Sequence, residues 1–325
     1  MKATDTDISG ADASGAGGGP GVLFFGGSRR SGTTWVAGML NAHPEIECRN
    51  EAWVFNDLGC SFGSWLDEKR VRAWMGRKEA RGTWLRHMSE DEAVAAMRRS
   101  MLMGLYREAV EREKWKEWSK LKWIGDKTTM HFCTHAAEIH GLFPDAKFLH
   151  MVRDGRDVVV SDCFLLMRER EYRGLSAKAV AEVERARAYH FEKKGPAAPL
   201  FGPALLEWLI GQWVESIAGG QKARELYGAC GFFEVRYERL VEDPKRIGEV
   251  LEWLGVAHDP QTVERLVGIG VFEKHSGGRK RGEEDVHAEW RKGVAGDWRN
   301  YFTEADTALF KSMAGELVVE LGYAW

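Results

Sequence analysis

Residues Gly26-Gly27-Ser28-Arg29-Arg30-Ser31-Gly32-Thr33-Thr34-Trp35 follow the apolar run Val22-Leu23-Phe24-Phe25 and lead into Val36-Ala37-Gly38-Met39-Leu40. A short buried strand, a glycine turn bearing hydroxyls and arginines, and then a helix would gather backbone N–H groups and the positive end of a helix dipole at one point. That is an anion site. The frame from Gly27 to Gly32 is the GxxxxG of a nucleotide phosphate loop, but Thr33 stands where a triphosphatase keeps its lysine. Triphosphate hydrolysis needs that lysine, with Mg²⁺, to hold several negative charges; a singly charged group on a phosphate needs less, and here Arg30 supplies charge from a different place.

The same order of strand, polar turn and helix recurs along the chain. Residues 121–125 read as a strand entering Asp126-Lys127-Thr128-Thr129, with Phe132, Ala136 and Ile139 on the helix behind it. Residues 147–152 read as a third strand, followed by Arg153-Asp154-Gly155-Arg156-Asp157 and a helix to about residue 167; residues 232–237 are a fourth strand candidate, with helices over 244–254 and 261–267. Ser89-Glu90-Asp91-Glu92 is a capping box, and Val94, Met97, Met101 and Leu105 follow at the spacing of a buried helical stripe. Residues 52–88 suggest short helices and loops, 176–194 a charged surface helix, 204–227 a further helix, 274–297 a polar, Gly-rich basic loop, and 303–321 a closing helix. Strands interleaved with helices predict an α/β fold, a parallel β-sheet flanked by helices with a P-loop-like architecture, whose ligand site lies at the strand C-terminal ends.

Composition sets the outer limits. A chain of 325 residues, 44% hydrophobic and 29% charged, can bury a large core, and one folded domain over 21–325 is expected behind a Gly/Ala/Ser/Asp-rich tail at 1–20. A net charge of -3 gives no global attraction to nucleic acid, so anion binding must come from locally placed basic residues. The five cysteines are scattered without a CxxC pair, as in a reducing compartment, and no apolar run is long enough for a signal peptide or a membrane span. A cytoplasmic protein is the expectation, with homo-oligomerisation left open.

The loop resembles the 5′-phosphosulfate loop of the sulfotransferase family, whose members move a sulfuryl group from 3′-phosphoadenosine-5′-phosphosulfate (PAPS) to a hydroxyl or amine, leaving PAP. Arg30-Ser31-Gly32-Thr33-Thr34 matches the family's [Lys/Arg]-Ser-Gly-Thr-Thr, and Trp35 takes the place that cytosolic members use beside adenine. Arg153 and Ser161, eight residues apart across a strand end and a helix start, resemble the 3′-phosphate motif; a guanidinium fork and a helix hydroxyl suit that group, although Arg153 alone could pair with Asp154 or Asp157. Arg291-Lys292-Gly293-Val294-Ala295-Gly296-Asp297-Trp298 resembles the cytosolic RKGxxGDW segment that folds over the cofactor. A basic loop is what a lid ordered by ligand charge should look like. Nearby Arg279-Lys280-Arg281 reads as a solvated loop.

Met39-Leu40-Asn41-Ala42-His43-Pro44-Glu45-Ile46 and Glu51 resemble the protein-tyrosine branch, where the matching glutamate takes the acceptor's proton. Lys127 matches the lysine that contacts the transferring group, and with Arg30 it would steady charge on the bridging oxygen. Thr129 stands where cytosolic members keep a catalytic histidine, which makes Glu51 the expected base over His131 and His135. Tyr237 and Phe272 match positions flanking the purine; Gly270 replaces a hydroxyl residue there and puts one adenine hydrogen bond in question. The resemblance implies a PAPS-dependent transferase that needs no metal and acts on a small-molecule, lipid or glycan hydroxyl. The acceptor pocket would be built by the unmatched regions 53–120 and 166–230, with tryptophans such as Trp53, Trp65, Trp74, Trp84, Trp115 and Trp118. A P-loop kinase or triphosphatase and a non-catalytic nucleotide-binding protein are the competing readings.

Overall fold

A computed structural model describes residues 19–51, 55, 68–75, 87–114 and 116–325. Most of the tail expected at 1–20 lies outside these, as do Cys60, Trp53, Trp65, Trp84 and Trp115. Five parallel strands, β1 (Gly21–Gly27), β2 (Ile46–Asn50), β3 (Trp123–Lys127), β4 (Lys147–Val152) and β5 (Phe232–Arg236), form one sheet in the order β2-β3-β1-β4-β5. The central strand β1 is buried on both faces, with Leu23, Phe24 and Phe25 fully inaccessible, as a parallel sheet covered by helices requires. On one face Leu23 and Phe25 pack with Val36, Leu40 and Leu251; on the other Phe24 meets Phe132, Phe143 and Phe148.

β1 sits between β3 and β4, so the chain turns opposite ways from it and leaves a crevice at the strand C-terminal ends. Register then brings distant residues level: Phe25 pairs with Lys127, Lys127 with Asn50, Gly27 with Met151, and Val152 with Arg236. Glu51, Lys127, the loop after Gly27, Arg153 and Tyr237 therefore leave the sheet along one edge, in that spatial order.

The capping box at Ser89 is formed: Glu92 N donates to Ser89 Oγ at 3.2 Å, and Ser89 N donates to Glu92 Oε2 at 2.7 Å, opening the helix Glu90–Glu113. Its buried face is not the expected stripe. Val94 is buried, but Met101 and Leu105 are exposed, and Leu102 and Val110 face inward instead. The Ala177–Ala186 helix is likewise only half a surface helix, with Ala179, Val183 and Ala186 buried. β2 is a strand that the residue pattern did not announce, because it carries a buried Glu47 between Ile46 and Cys48. Lys116 lies 3.3 Å from Glu47, and Arg49 also pairs with it. No helix among the described residues is long and apolar enough to cross a membrane.

Candidate active site

The loop from Ser28 to Gly32 is built to turn sharply. Arg30 and Gly32 both have positive φ, 62° and 96°, and a Cβ on Gly32 would lie 2.7 Å from Tyr237 Cδ2, so glycine is required there for both backbone and space. Ser31 Oγ donates to Ser28 O at 2.6 Å and closes the turn. The helix Thr33–Asn41 starts immediately after, with Gly32 as N-cap and no side chain capping it. Its first amides thus stay available to an anion, together with the positive end of its dipole.

The loop opens on a cavity of about 400 Å³. Of the expected site residues, Arg30, Gly32, Thr33, Thr34, Trp35, Glu51, Arg153, Ser161, Tyr237, Phe272, Arg291, Lys292 and Gly293 line it. Ser31 and Lys127 lie just behind the wall, Ser31 bonded within the loop and Lys127 only 2% exposed. Among the described lining residues seven are Arg or Lys and four are Glu, so a chain of net negative charge concentrates positive charge here. No histidine is among them.

At the β2–β3 end, Lys127 Nζ donates to Glu51 Oε1 at 2.8 Å, and Glu51 N donates to Lys127 O at 2.8 Å. The backbone bond continues the strand pairing by one residue, and Glu51 then turns out with φ 55°, leaving its carboxylate 39% exposed at the cavity. His135 Nδ1 meets His131 O at 3.0 Å, a contact on its own helix turn.

Across β1, Arg153 ties the site together. Nη1 donates to Arg30 O at 2.8 Å, Nη2 donates to Val294 O at 3.1 Å, and the guanidinium lies 4.2 Å from the centre of the Tyr237 ring. Its Nε is buried without a partner, as is that of Arg291. Buried donors of this kind are costly unless something accepts from them. Arg30 Nε donates to Ser161 Oγ at 3.2 Å, which brings the arginine expected at the 5′-phosphosulfate onto the serine expected at the 3′-phosphate; Arg29 forks onto Asp162 at 2.8 and 3.1 Å beside it. Burial lowers the pKa of Arg30, against the pull of Asp162 and Glu289, but a guanidinium stays charged in proteins.

The segment 279–297 forms one further wall, beside Leu165, Arg168, Glu169 and Glu171. Asp157, in the first turn of the helix Gly155–Glu169, accepts from Gly296 N at 2.6 Å and Trp298 N at 2.9 Å. Burial pushes the Asp157 carboxyl up, opposed by Arg153 and these two amides. Lys292 Nζ donates to Asp297 Oδ1 at 2.7 Å, and Arg291 Nη2 to Asp297 Oδ2 at 2.5 Å; Arg291 also pairs with Glu284. Burial alone would raise Asp297, but those two cations hold it below the usual carboxylate range. Gly293, at φ 68°, packs closely against Phe272, whose ring a Cβ would meet at 2.6 Å.

Three features escape a reading of the residues. Gly270 leaves no gap: its carbonyl accepts from Trp35 Nε1 at 2.7 Å and sets the angle of the indole. Arg279 is not a solvated side chain; it donates to the carbonyls of Ser276, Glu283, Trp290 and Arg291. Arg281 reaches the cavity itself. Clustered basic residues before a basic segment were the available signal, but backbone carbonyl partners cannot be seen in a sequence.

A parallel α/β sheet with an uncapped helix N-terminus and convergent arginines at its switch point defines an α/β protein with an anion-binding crevice at the strand ends. The sulfotransferase family model matches residues 20–260, about three quarters of the chain, and the chain belongs to that family. The chain is 24% identical to rat sulfotransferase 1C2 over 186 residues, 51% of this chain and 52% of the relative. It is 30% identical to the Drosophila melanogaster protein-tyrosine sulfotransferase over 146 residues, 43% of this chain and 24% of the relative. The chain thus spans about half the length, or less, of these curated relatives. In fold it is similar to mouse sulfotransferase SULT7A1 complexed with PAP, with a TM-score of 0.50 at 14% identity over 92% of this chain and 84% of that one. The wall at 279–297 lies beyond the span that the family model matches.

Proposed function

We propose that the protein transfers a sulfuryl group from PAPS to a hydroxyl acceptor, giving a sulfate ester and PAP. The observation that carries this reading is the placement of Glu51 with Lys127, and of Arg30 with Ser161 and Arg153, around one cavity at the strand ends. The residues fit the donor on three counts: unfilled amides at the helix start, buried arginine Nε atoms without partners, and an aromatic wall of Trp35 and Phe272. Arg153, Ser161, Arg291, Lys292 and Gly293 would hold the 3′-phosphate, residues Arg30 to Thr34 the 5′-phosphosulfate, and Trp35, Tyr237 and Phe272 the purine. When bound, the donor supplies a sulfur electrophile with a phosphate leaving group.

Glu51 is the base in this reading. Its carboxylate reaches the cavity while Lys127, behind it, fixes the rotamer and stands ready to follow the negative charge as the acceptor proton moves onto Glu51. Arg30 stabilises the departing phosphate oxygen. A group of low charge asks for no metal beyond these cations. The acceptor comes in past Glu51, and a small-molecule, lipid or glycan hydroxyl fits the reading. Incubation with labelled PAPS and a metabolite extract from the producing cell tests it: an acceptor that gains the mass of SO₃ supports the assignment. Mg²⁺-dependent ATP turnover without PAP binding would instead favour the phosphoryl-transfer alternative.

A further inference from the structure

Arg281 belongs to none of the matched motifs, yet it touches two of the residues placed around the donor's purine, Trp35 and Phe272, and one placed at the 3′-phosphate, Gly293. Its guanidinium is 5.1 Å from the centre of the Trp35 ring and 5.6 Å from that of Phe272, and Nη1 donates to Gly293 O at 2.7 Å. It is half-buried and lines the cavity. One hydrogen bond uses one of five N–H donors, and no other protein acceptor for this side chain is present among the described residues.

Its neighbours show that this is not merely a loop stitch. The carbonyls of Trp290 and Arg291 are taken by Arg279 at 2.7 and 2.8 Å, that of Lys292 by Gly282 N at 2.9 Å, and that of Val294 by Arg153 at 3.1 Å. Arg279 therefore spends its fork on the backbone and anchors the segment. Arg281 adds a single bond to that anchoring and presents a planar cation to an aromatic cleft. A guanidinium plane stacks on flat π faces and donates in plane to ring nitrogens, which a lysine does less well.

We propose that Arg281 is a specificity-determining residue that packs on the nucleobase of the bound donor, clamped by Gly293 O at one end and by the Trp35–Phe272 cleft at its face. The inference rests on the PAPS reading above. It makes base recognition a property of the basic wall as well as of the phosphate-loop side of the cavity.

The test is calorimetric titration of the full chain with PAP and with ribose 3,5-bisphosphate, which keeps two phosphates and loses the base. Arg281→Ala should weaken PAP by about tenfold, the scale of a desolvated cation–π contact, and leave the base-free ligand within about twofold. Arg281→Lys should not restore the loss. Arg279→Ala, which loosens the whole segment, should weaken both ligands alike. Equal losses for both ligands in Arg281→Ala, tighter PAP binding, or full rescue by lysine would each overturn the assignment. A folded wild-type chain that fails to bind PAP would break the donor reading itself and take this assignment with it. PAP binding that Arg281→Ala leaves unchanged would break only the assignment.

Discussion

The two sides of the cavity are made in different ways. The floor, comprising Glu51, the loop at Ser28–Gly32, Lys127 and Arg153, hangs from five parallel strands whose register sets these positions. The wall at 279–297 has almost no regular structure; Asp157, Arg153, Arg279 and Arg281 hold it by bonds to its amides and carbonyls. Changes in the floor should therefore disturb chemistry and stability together. Changes in the wall should act mainly on ligand affinity, because side-chain bonds to a loop can be lost without unfolding a sheet.

The largest expected effect is on the floor. Glu51→Gln should lower turnover by about 10²–10⁴-fold, the range for loss of a general base, with PAP affinity little changed. His131→Ala and His135→Ala should stay near wild type in the same sulfate-transfer assay. Near-normal turnover in Glu51→Gln with loss in either histidine variant would move the base to that helix turn.

Arg153 joins floor to wall, so Arg153→Ala should both weaken PAP by about a hundredfold and lower the melting temperature. Charged hydrogen bonds on this scale are worth about 1.5–3 kcal/mol each. Free sulfate should be affected much less. Equal losses for PAP and sulfate would remove Arg153 from the 3′-phosphate and with it the distinction between the two sides.

The acid sensitivity of the floor should trace to His150 on β4, whose ring packs against Gly220 with both nitrogens unpartnered. Burial, with a smaller contribution from Arg224, lowers its pKa to about 3. The folded protein therefore keeps His150 neutral while the unfolded chain protonates it near 6.5. The stability this represents is complete above that pH and is lost as pH falls from 6.5 towards 3, reaching about 2 kcal/mol at pH 5. His150→Leu should flatten the slope of stability between pH 7 and 5 in denaturant titrations. An unchanged slope would place the acid sensitivity elsewhere.

The smallest effect belongs to the wall. Asp157→Asn should cost about 1–2 kcal/mol, since a neutral amide accepts less strongly from Gly296 and Trp298. Faster amide exchange confined to residues near 296–298 would show the wall loosening alone. A uniform rise across the sheet would mean that floor and wall are one cooperative unit.

Much of this was legible in the residues. The turn at Ser28–Gly32, the strand Lys147–Val152, the Ser89 cap and the helix starts carry local signals that packing did not overturn. β2 was hidden because Glu47 breaks the apolar pattern and is buried with cations from elsewhere. The helix stripe at Val94, Met97, Met101 and Leu105 misled because spacing gives a face but not which neighbour covers it. Arg279 and Arg281 look like any basic surface run until the carbonyls and rings they meet are placed beside them.

What the sequence determined by itself is the local chemistry: glycines where the loop must take positive φ, an arginine displaced from the triphosphatase lysine position, and strands followed by polar turns. These depend on neighbours a few residues away, and short-range sterics and charge settle them. The tertiary structure alone decided that Glu51 meets Lys127, that Arg30 lies on Ser161, and that Arg281 enters the aromatic cleft, across separations of 76, 131 and more than 240 residues. Such meetings follow from strand order and register, which belong to the whole sheet and to no single stretch of chain.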